Sequence, residues 1–396
     1  MRKRRILFIC NDNIGKKMAG PGIRVWELGK ALQSLGHRVA ILARYVEKDH
    51  AGNGFAFLGQ TTLLNLLVWS HRSDCIIQTG RPLPILVSVL LRKRIFFDQY
   101  DPVVFEFLEH VPGSLPARLR RRLMLFLWKL RQRVILRFGS GFLVANDQQK
   151  DFLIGQMAVL GHAKKLNAVT VVPFGLSDKK PLRSRQVLRG NKVRDTDFLL
   201  VWGGGVWGWF DPFTLLEALA MIKKRRDDIK AYFPGINPPN PDAAAMTVAE
   251  DFLSRANQLG LLDSTVFINK SWTSYEERAN YLLEADTGIS LHRDTLETRF
   301  AFRTRILDYL WAGLPIITSQ GDCWAQVVER EGLGIAVPPG DVDRAAAAII
   351  RMAEDHTWRR ECRARVESVA ARYRWKEIAA AVSDVADRQS RPSERT

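Results

Sequence analysis

The chain has 396 residues, 46% of them apolar, and 59 Lys and Arg against 42 Asp and Glu give it a formal net charge of +17. That length fits two domains better than one core, and the apolar share excludes a mostly disordered chain. The charge favours anionic partners such as phosphates, acidic lipid headgroups or nucleic acid, without choosing among them. Cys10, Cys75, Cys323 and Cys362 lie far apart with no C-x-x-C pair. Neither a disulfide framework nor a zinc site is expected, and a reducing, cytoplasmic setting is the simpler choice.

The start, Met1-Arg-Lys-Arg-Arg5, is basic like the first region of a signal peptide, yet the apolar run Ile6 to Cys10 is short and stops at Asn11-Asp12-Asn13. It predicts a buried strand instead. No apolar run reaches the ~18–20 residues that span a bilayer, so membrane contact is expected to be peripheral. Strands are predicted at 5–10, 38–43, 74–78, 94–98 and 141–145, alternating with helical patterns as in parallel βαβ sheets. Between the first two lies Ala19-Gly20-Pro-Gly22-Ile-Arg24, then a helix closed by Leu35-Gly36-His37. A glycine loop opening a helix lets backbone N–H groups approach an anion or a sugar hydroxyl, and an ordinary tight turn explains it equally.

After the fourth strand comes Asp98-Gln-Tyr-Asp101-Pro102, then Glu106, Glu109 and His110 on a short helix. Carboxylates at a strand's carboxyl end can orient a sugar hydroxyl or take its proton. Asp101 also suits a helix cap before Pro102, and the two glutamates suit a solvated face. Arg118 to Arg137 holds eight Lys or Arg and no acid, with Leu123, Phe126, Leu127, Leu130 and Val134 on one stripe. Such a helix can lie on an anionic membrane surface, or it can bury its stripe in the domain and leave its basic face in solvent.

Val169-Thr-Val-Val-Pro173-Phe-Gly175 reads as a strand and turn, Ser177 to Thr196 as a polar, basic linker, and a second alternating region starts at Asp197. Phe198-Leu-Leu-Val-Trp202 leads into Gly203-Gly204-Gly205-Val-Trp207-Gly208 and a helix from Asp211-Pro212. This matches G-x-G-x-x-G, but the next strand ends in Pro234-Gly235, without the acid that would hold an adenosine ribose, so no nicotinamide cofactor is expected. The glycines still suit a diphosphate cradle of backbone amides. Further strands are predicted at 265–269, 287–291, 315–318 and 334–337. A helix starting near Phe302 and ended by Ala312, Gly313 and Pro315 carries Arg305 and Asp308 on one face. A guanidinium can fork onto phosphate and a carboxylate can accept from ribose hydroxyls. In isolation such a pair is most often an intrahelical salt bridge. The chain from Pro338 onward reads as helices that pack back toward the first domain, with Gln389 to Thr396 as a disordered tail.

Arg305-Ile-Leu-Asp308-Tyr-Leu-Trp-Ala312-Gly313-Leu-Pro315 resembles the donor-binding helix of family 4 (group 1) glycosyltransferases, and Leu32 to Val39 resembles their entry to the second strand. The resemblance implies an α/β GT-B fold, with two Rossmann-like domains facing an interdomain cleft. Their bounds would be 1–175 and 197–375, with a linker at 176–196 and a terminal helix and tail at 376–396. It implies a donor site at Gly203, Gly204, Gly205, Trp207, Trp272, Arg303, Arg305 and Asp308, with Trp272 against the nucleotide base. Gly20, Gly22 and Arg24 would lie near donor phosphate or acceptor, and Asp98 and Asp101 on the acceptor side. Many relatives carry two glutamates eight apart; here Asp308 stands at the second and Phe300 at the first, so Glu297 or His292 is expected to cover the missing contacts. The implied activity is metal-independent transfer of a sugar, with retention, from a nucleoside diphosphate sugar to a glycan, lipid-linked or other hydroxyl acceptor. A nucleotide-sugar epimerase of the same fold, or a non-enzymatic protein binding anionic surfaces, remains the alternative. No metal, cofactor or nucleic-acid partner is expected.

Overall fold

A computed structural model describes residues 2–15, 18, 20–47, 54–101, 103–109, 115–236, 246–269, 273 and 276–388. The chain divides into two compact units, the first running to Gly175 and resuming at Arg374, the second Leu176–Tyr373.

In the first unit β1 (Arg5–Ile9), β2 (Asn13–Ile14), α1 (Gly20–Ser34), β3 (Arg38–Ala43), β4 (Tyr45–Val46) and β5 (Phe57–Gln60) come first. They are followed by α2 (Leu63–Arg72), β6 (Cys75–Gln78), α3 (Pro82–Leu90), β7 (Arg94–Asp98), α4 (Val103–Glu109), α5 (Leu115–Phe138), β8 (Gly141–Val144), α6 (Asp147–Val159) and β9 (Val169–Val171). Seven strands form one sheet in the order β5-β3-β1-β6-β7-β8-β9, and its pairings are parallel. Sheets covered on both faces need strands apolar at every position, which is why RILFI, RVAILA and CIIQ run without alternation. The chain extends the sheet from β1 toward β5 and then crosses back to β6. The switch point therefore lies between the ends of β1 and β6, where open α/β sheets bind ligands.

In the second unit β10 (Phe198–Val201), α7 (Pro212–Lys223), β11 (Ile229–Phe233), α8 (Met246–Gln258), β12 (Val266–Ile268), α9 (Arg278–Leu282) and β13 (Thr287–Ser290) come first. Then follow α10 (Leu296–Phe300), α11 (Thr304–Ala312), β14 (Ile316–Ser319), α12 (Cys323–Glu331), β15 (Gly334–Val337), α13 (Val342–Glu354) and α14 (His356–Ala370). The six-stranded order is β12-β11-β10-β13-β14-β15, again parallel, with its switch between β10 and β13. Gly313 ends α11 at φ 69°, a left-handed residue that glycine adopts freely.

The last helix, α15 (Trp375–Arg388), belongs to the first unit and packs on α1. His37 Nε2 meets Ser383 Oγ at 2.8 Å, and Arg4 Nε donates to Asp387 at 3.2 Å. The stretch 176–196 belongs to the second unit and has partners there. The buried carboxylate of Glu284 accepts the N–H groups of Val187, Leu188 and Arg189, each at 2.8 Å, and Arg189 donates to the Asp286 carboxylate. Polarity in the sequence marks this stretch as outside a core but does not reveal that its amides are satisfied.

On α5 the apolar stripe does not enter the core along most of its length. Leu115, Leu119, Leu123, Met124, Phe126, Leu127 and Leu130 are exposed, and burial is confined to Gln132, Ile135 and Leu136 near its end. On α2 and α3, which pack together, Leu63, Leu64, Leu67, Leu83, Leu86 and Leu90 are also exposed. Among the described residues no helix is long and apolar enough to cross a membrane.

Candidate functional site

Beyond β10, the loop Trp202–Gly205 sits at the switch point of the second sheet and is clamped from α11. The Gly203 N–H donates to Tyr309 Oη at 2.7 Å, and that hydroxyl donates to the Ile289 carbonyl at 2.8 Å. The Tyr309 ring occupies space that only glycine leaves open: a Cβ on Gly288 would lie 2.3 Å from its Cγ. Burial pushes the Tyr309 phenol well above its ordinary range, so it stays protonated and can donate. Gly204 has φ +87°, the left-handed region.

One turn before Tyr309, Arg305 reaches the same loop. Its Nη2 donates to the Gly205 carbonyl at 2.8 Å, and its Cζ lies 3.5 Å from the Phe210 ring centroid and 5.1 Å from that of Trp202. The residue is 8% exposed, and its Nη1 has no hydrogen-bond partner. Burial lowers its pKa to about 9, which leaves it a cation at neutral pH. A desolvated cation resting on aromatic faces, with one nitrogen unoccupied, favours an anion brought to it.

Arg303 is placed differently. It forks onto Glu297 at 2.9 and 2.6 Å and reaches Thr298 Oγ1 at 3.2 Å, so these two candidates neutralise each other. Asp308, three residues on, makes no hydrogen bond to Arg305 and has a different partner. It accepts from Arg278 Nε at 3.0 Å, and the Arg278 guanidinium lies 4.1 Å above the Trp311 ring. Three helical steps leave the two side chains about 60° apart, and across that offset Arg305 turns to the glycine loop and Asp308 toward α9. Burial raises the Asp308 carboxyl pKa, opposed by Arg278.

His292 follows β13 and pairs across to Phe210 through an isolated antiparallel bridge. Its N–H donates to Ser319 Oγ at 3.1 Å. The fully buried imidazole has no hydrogen bond at either nitrogen, with Nε2 3.4 Å from Asp322 Oδ2. Trp207 stacks on Trp209 at 5.5 Å and 4°. Trp272, like His110 and Gln389 to Thr396, lies outside the described residues.

In the first unit Gly20 opens α1, and a Cβ on Gly22 would lie 2.5 Å from the Asn13 carbonyl. Arg24 is wholly buried: it forks onto Asp98 at 2.7 and 3.0 Å and donates to the carbonyls of Val172 and Pro173, both at 2.9 Å. Its five donors are thus largely committed inside the unit, and it acts as a strut between α1, β7 and the turn after β9. Asp101 is exposed beyond β7. Asp98 and Asp101 both line a cavity of about 240 Å³ at the carboxyl ends of the strands, which Asn11 and Thr79 also border.

Sequence reasoning missed Tyr309, Phe210 and Gly288. Gly288 carried a usable signal, since a glycine inside a strand often marks a close approach; Tyr309 looked like one more apolar position of α11. Among the described residues no three His, Cys, Asp or Glu side chains gather as a metal site.

Two doubly wound parallel sheets, each with its switch point, define the GT-B fold, and solved structures share it along the chain. Anabaena HepE in complex with UDP-glucose is 14% identical, with TM-score 0.70 over 98% of this chain and 99% of its own. WaaG, a glycosyltransferase involved in lipopolysaccharide biosynthesis, is 15% identical with TM-score 0.66 over 97% and 100%. Sucrose-phosphate synthase of Thermosynechococcus elongatus is 17% identical with TM-score 0.63 over 97% and 98%. No curated protein matches the sequence. Residues 200–355 match the model of the family Glycosyl transferases group 1.

Proposed function

We propose that the protein is a metal-independent glycosyltransferase that moves a hexose, with retention, from a nucleoside diphosphate sugar to a hydroxyl of a glycan or lipid-linked acceptor. One observation carries the reading. Arg305 is a buried guanidinium at the carboxyl end of β10, bound to a glycine carbonyl and open at Nη1, with no carboxylate in hydrogen-bond contact among the described residues. The donor diphosphate then lies along Gly203–Gly205, and the charge that develops on the leaving group is met by Arg305 and the N–H groups of Gly204 and Gly205, that of Gly203 being held by Tyr309. Glu297, held by Arg303, orients the donor sugar, and the acceptor proton passes to the departing phosphate, so positioning supplies much of the acceleration. UDP-glucose is the first donor to test, because HepE has been captured with it.

Incubation with UDP-glucose and a hydroxyl acceptor should release UDP. Isomerised nucleotide sugar without UDP would point to an epimerase instead. Neither product, across a panel of nucleotide sugars, would remove the enzymatic reading.

The acceptor is delivered at an anionic membrane surface on the cytoplasmic side, and the exposed leucines and phenylalanine of α5 between its arginines support this. Apolar side chains insert among acyl chains while the guanidinium groups meet headgroups. Sedimentation with phosphatidylglycerol vesicles should carry the protein down. Binding that is equal on phosphatidylcholine vesicles, or absent from both, would exclude this element.

A further inference from the structure

The amino end of the first sheet, opposite its switch point, gathers positive charge. β1 and β3 begin with Arg5 and Arg38, which are register partners in a parallel pair, so both side chains leave the sheet on the same face. Leu66 and Trp69 of α2 pack on that face against Leu7 and Ala40, and the last residue of α2, Arg72, comes to the same place. The three arginines line a cavity of about 250 Å³ together with Trp69 and Ser73. One carboxylate answers them. Asp74 accepts from the Arg5 guanidinium on Oδ1 at 3.1 and 2.7 Å and from the Arg5 N–H on Oδ2 at 2.8 Å. Arg38 and Arg72 have no carboxylate partner among the described residues, so two positive charges are left facing one cavity.

The fold does not call for them there. A cation can satisfy the carbonyls at a helix's end, but the end of α2 is already served. Lys93 Nζ donates to the carbonyls of His71 and Ser73 at 2.8 and 3.0 Å, and Ser73 Oγ donates to that of Trp69 at 2.7 Å. Arg72 is steadied by the Trp69 ring, whose centroid lies 5.4 Å from its Cζ and which stacks in turn on Phe57 at 4.7 Å. An aromatic face fixes the direction of a guanidinium and leaves its charge uncompensated. Like charges around one small cavity repel, and the arrangement is unfavourable until an anion enters.

Two unmet guanidinium groups match a dianion with several acceptor oxygens, as a phosphate monoester is, better than a carboxylate or a phosphate diester with one charge each. A volume of about 250 Å³ is below the ~300–1,000 Å³ of drug-sized sites, so the cavity takes the phosphate group and leaves the rest of the ligand outside.

We propose that this cavity is a binding site for a phosphate monoester, held by Arg38 and Arg72 and flanked by Arg5. It lies at the opposite end of the strands from the switch point and does not depend on the donor reading. A soluble phosphomonoester and a lipid headgroup can carry the same group, and the experiment separates them.

The test titrates the full chain calorimetrically with glycerol 3-phosphate, beside the monoanions dimethyl phosphate and acetate. Glycerol 3-phosphate should bind saturably and more tightly than either monoanion. Arg38→Gln and Arg72→Gln should each weaken it about tenfold, the loss of one hydrogen bond to a charged group. Both side chains are exposed, so these variants should keep the wild-type circular dichroism. Arg305→Ala, at the glycine loop of the second unit, should bind glycerol 3-phosphate as the wild type does. Vesicles then assign the source: weaker sedimentation of the glutamine variants with phosphatidic acid but not with phosphatidylglycerol supports a lipid phosphate, and unchanged sedimentation with both supports a soluble one. No saturable binding, equal binding of the monoanions, or glutamine variants that bind like wild type would overturn the proposal. Binding that is lost in Arg305→Ala and kept in the glutamine variants would also do so, because the phosphate would then sit at the donor loop.

Discussion

Arg305 donates to the carbonyl of Gly205 across 2.8 Å while its ring neighbour Phe210 lies 3.5 Å from the guanidinium carbon. A backbone carbonyl and a π face orient a cation without neutralising it, so the charge stays available to a ligand.

Replacing Arg305 with Ala is therefore expected to reduce UDP release from UDP-glucose by about 10²–10³-fold, the scale seen when a buried donor to developing charge is lost. Lysine should not restore it, because a point charge cannot both hold the Gly205 carbonyl and fork onto phosphate. Steady-state kinetics on protein with unchanged circular dichroism checks this; turnover near that of the wild type would take Arg305 out of the site.

Tyr309→Phe removes one hydroxyl that serves two buried backbone groups. Leaving the Gly203 N–H and the Ile289 carbonyl unmet is expected to cost about 1–3 kcal/mol of stability. Gly288→Ala should do more damage, since the new Cβ would lie 2.3 Å from the tyrosine ring. Urea titrations followed by tryptophan fluorescence measure both.

Asp98→Asn strands Arg24 as an unpaired buried cation, for which about 3–5 kcal/mol of destabilisation is expected. If Asp98 instead served chemistry alone, the variant would melt like the wild type and lose only activity.

His37 ties α15 to the start of β3, and burial lowers its pKa below the ordinary value of 6.5. The folded state thus binds its proton less readily than the unfolded chain, so stability present above pH 6.5 is lost as pH falls below it. Protection factors of the α15 amides, corrected for the intrinsic pH dependence of exchange, should fall from pH 7.5 to 5.5. His37→Gln should flatten that dependence; an unchanged slope would exclude His37 as its source.

Chelation offers a simpler check on the donor site. With leaving-group charge assigned to Arg305 and loop amides, UDP release should survive excess EDTA, and its loss, restored by Mg²⁺ or Mn²⁺, would require a different account.

Much of this was legible in advance where local chemistry is decisive. Runs such as RVAILA and FLLV announced strands buried on both faces, and Ala312-Gly313 with Pro315 announced a helix stop that the left-handed Gly313 supplies. The glycines after β10 announced a close backbone approach. Partnership was not legible. Arg303 and Arg305 are two residues apart and alike in the chain, yet one is neutralised by Glu297 and the other left open. Arg24, beside a glycine loop, looked like a ligand-binding residue and proves to be an internal strut for Asp98.

By itself the sequence determined the alternation of strands and helices, the parallel sheets, and the two glycine-rich loops that follow β1 and β10, because those follow from periodicity and from the sterics of single residues. Only the tertiary structure decided which charges remain unpaired. Whether a guanidinium is free depends on residues from six positions away, as Glu297 is from Arg303, to more than a hundred, as Val172 is from Arg24, and no local pattern encodes which of them it meets.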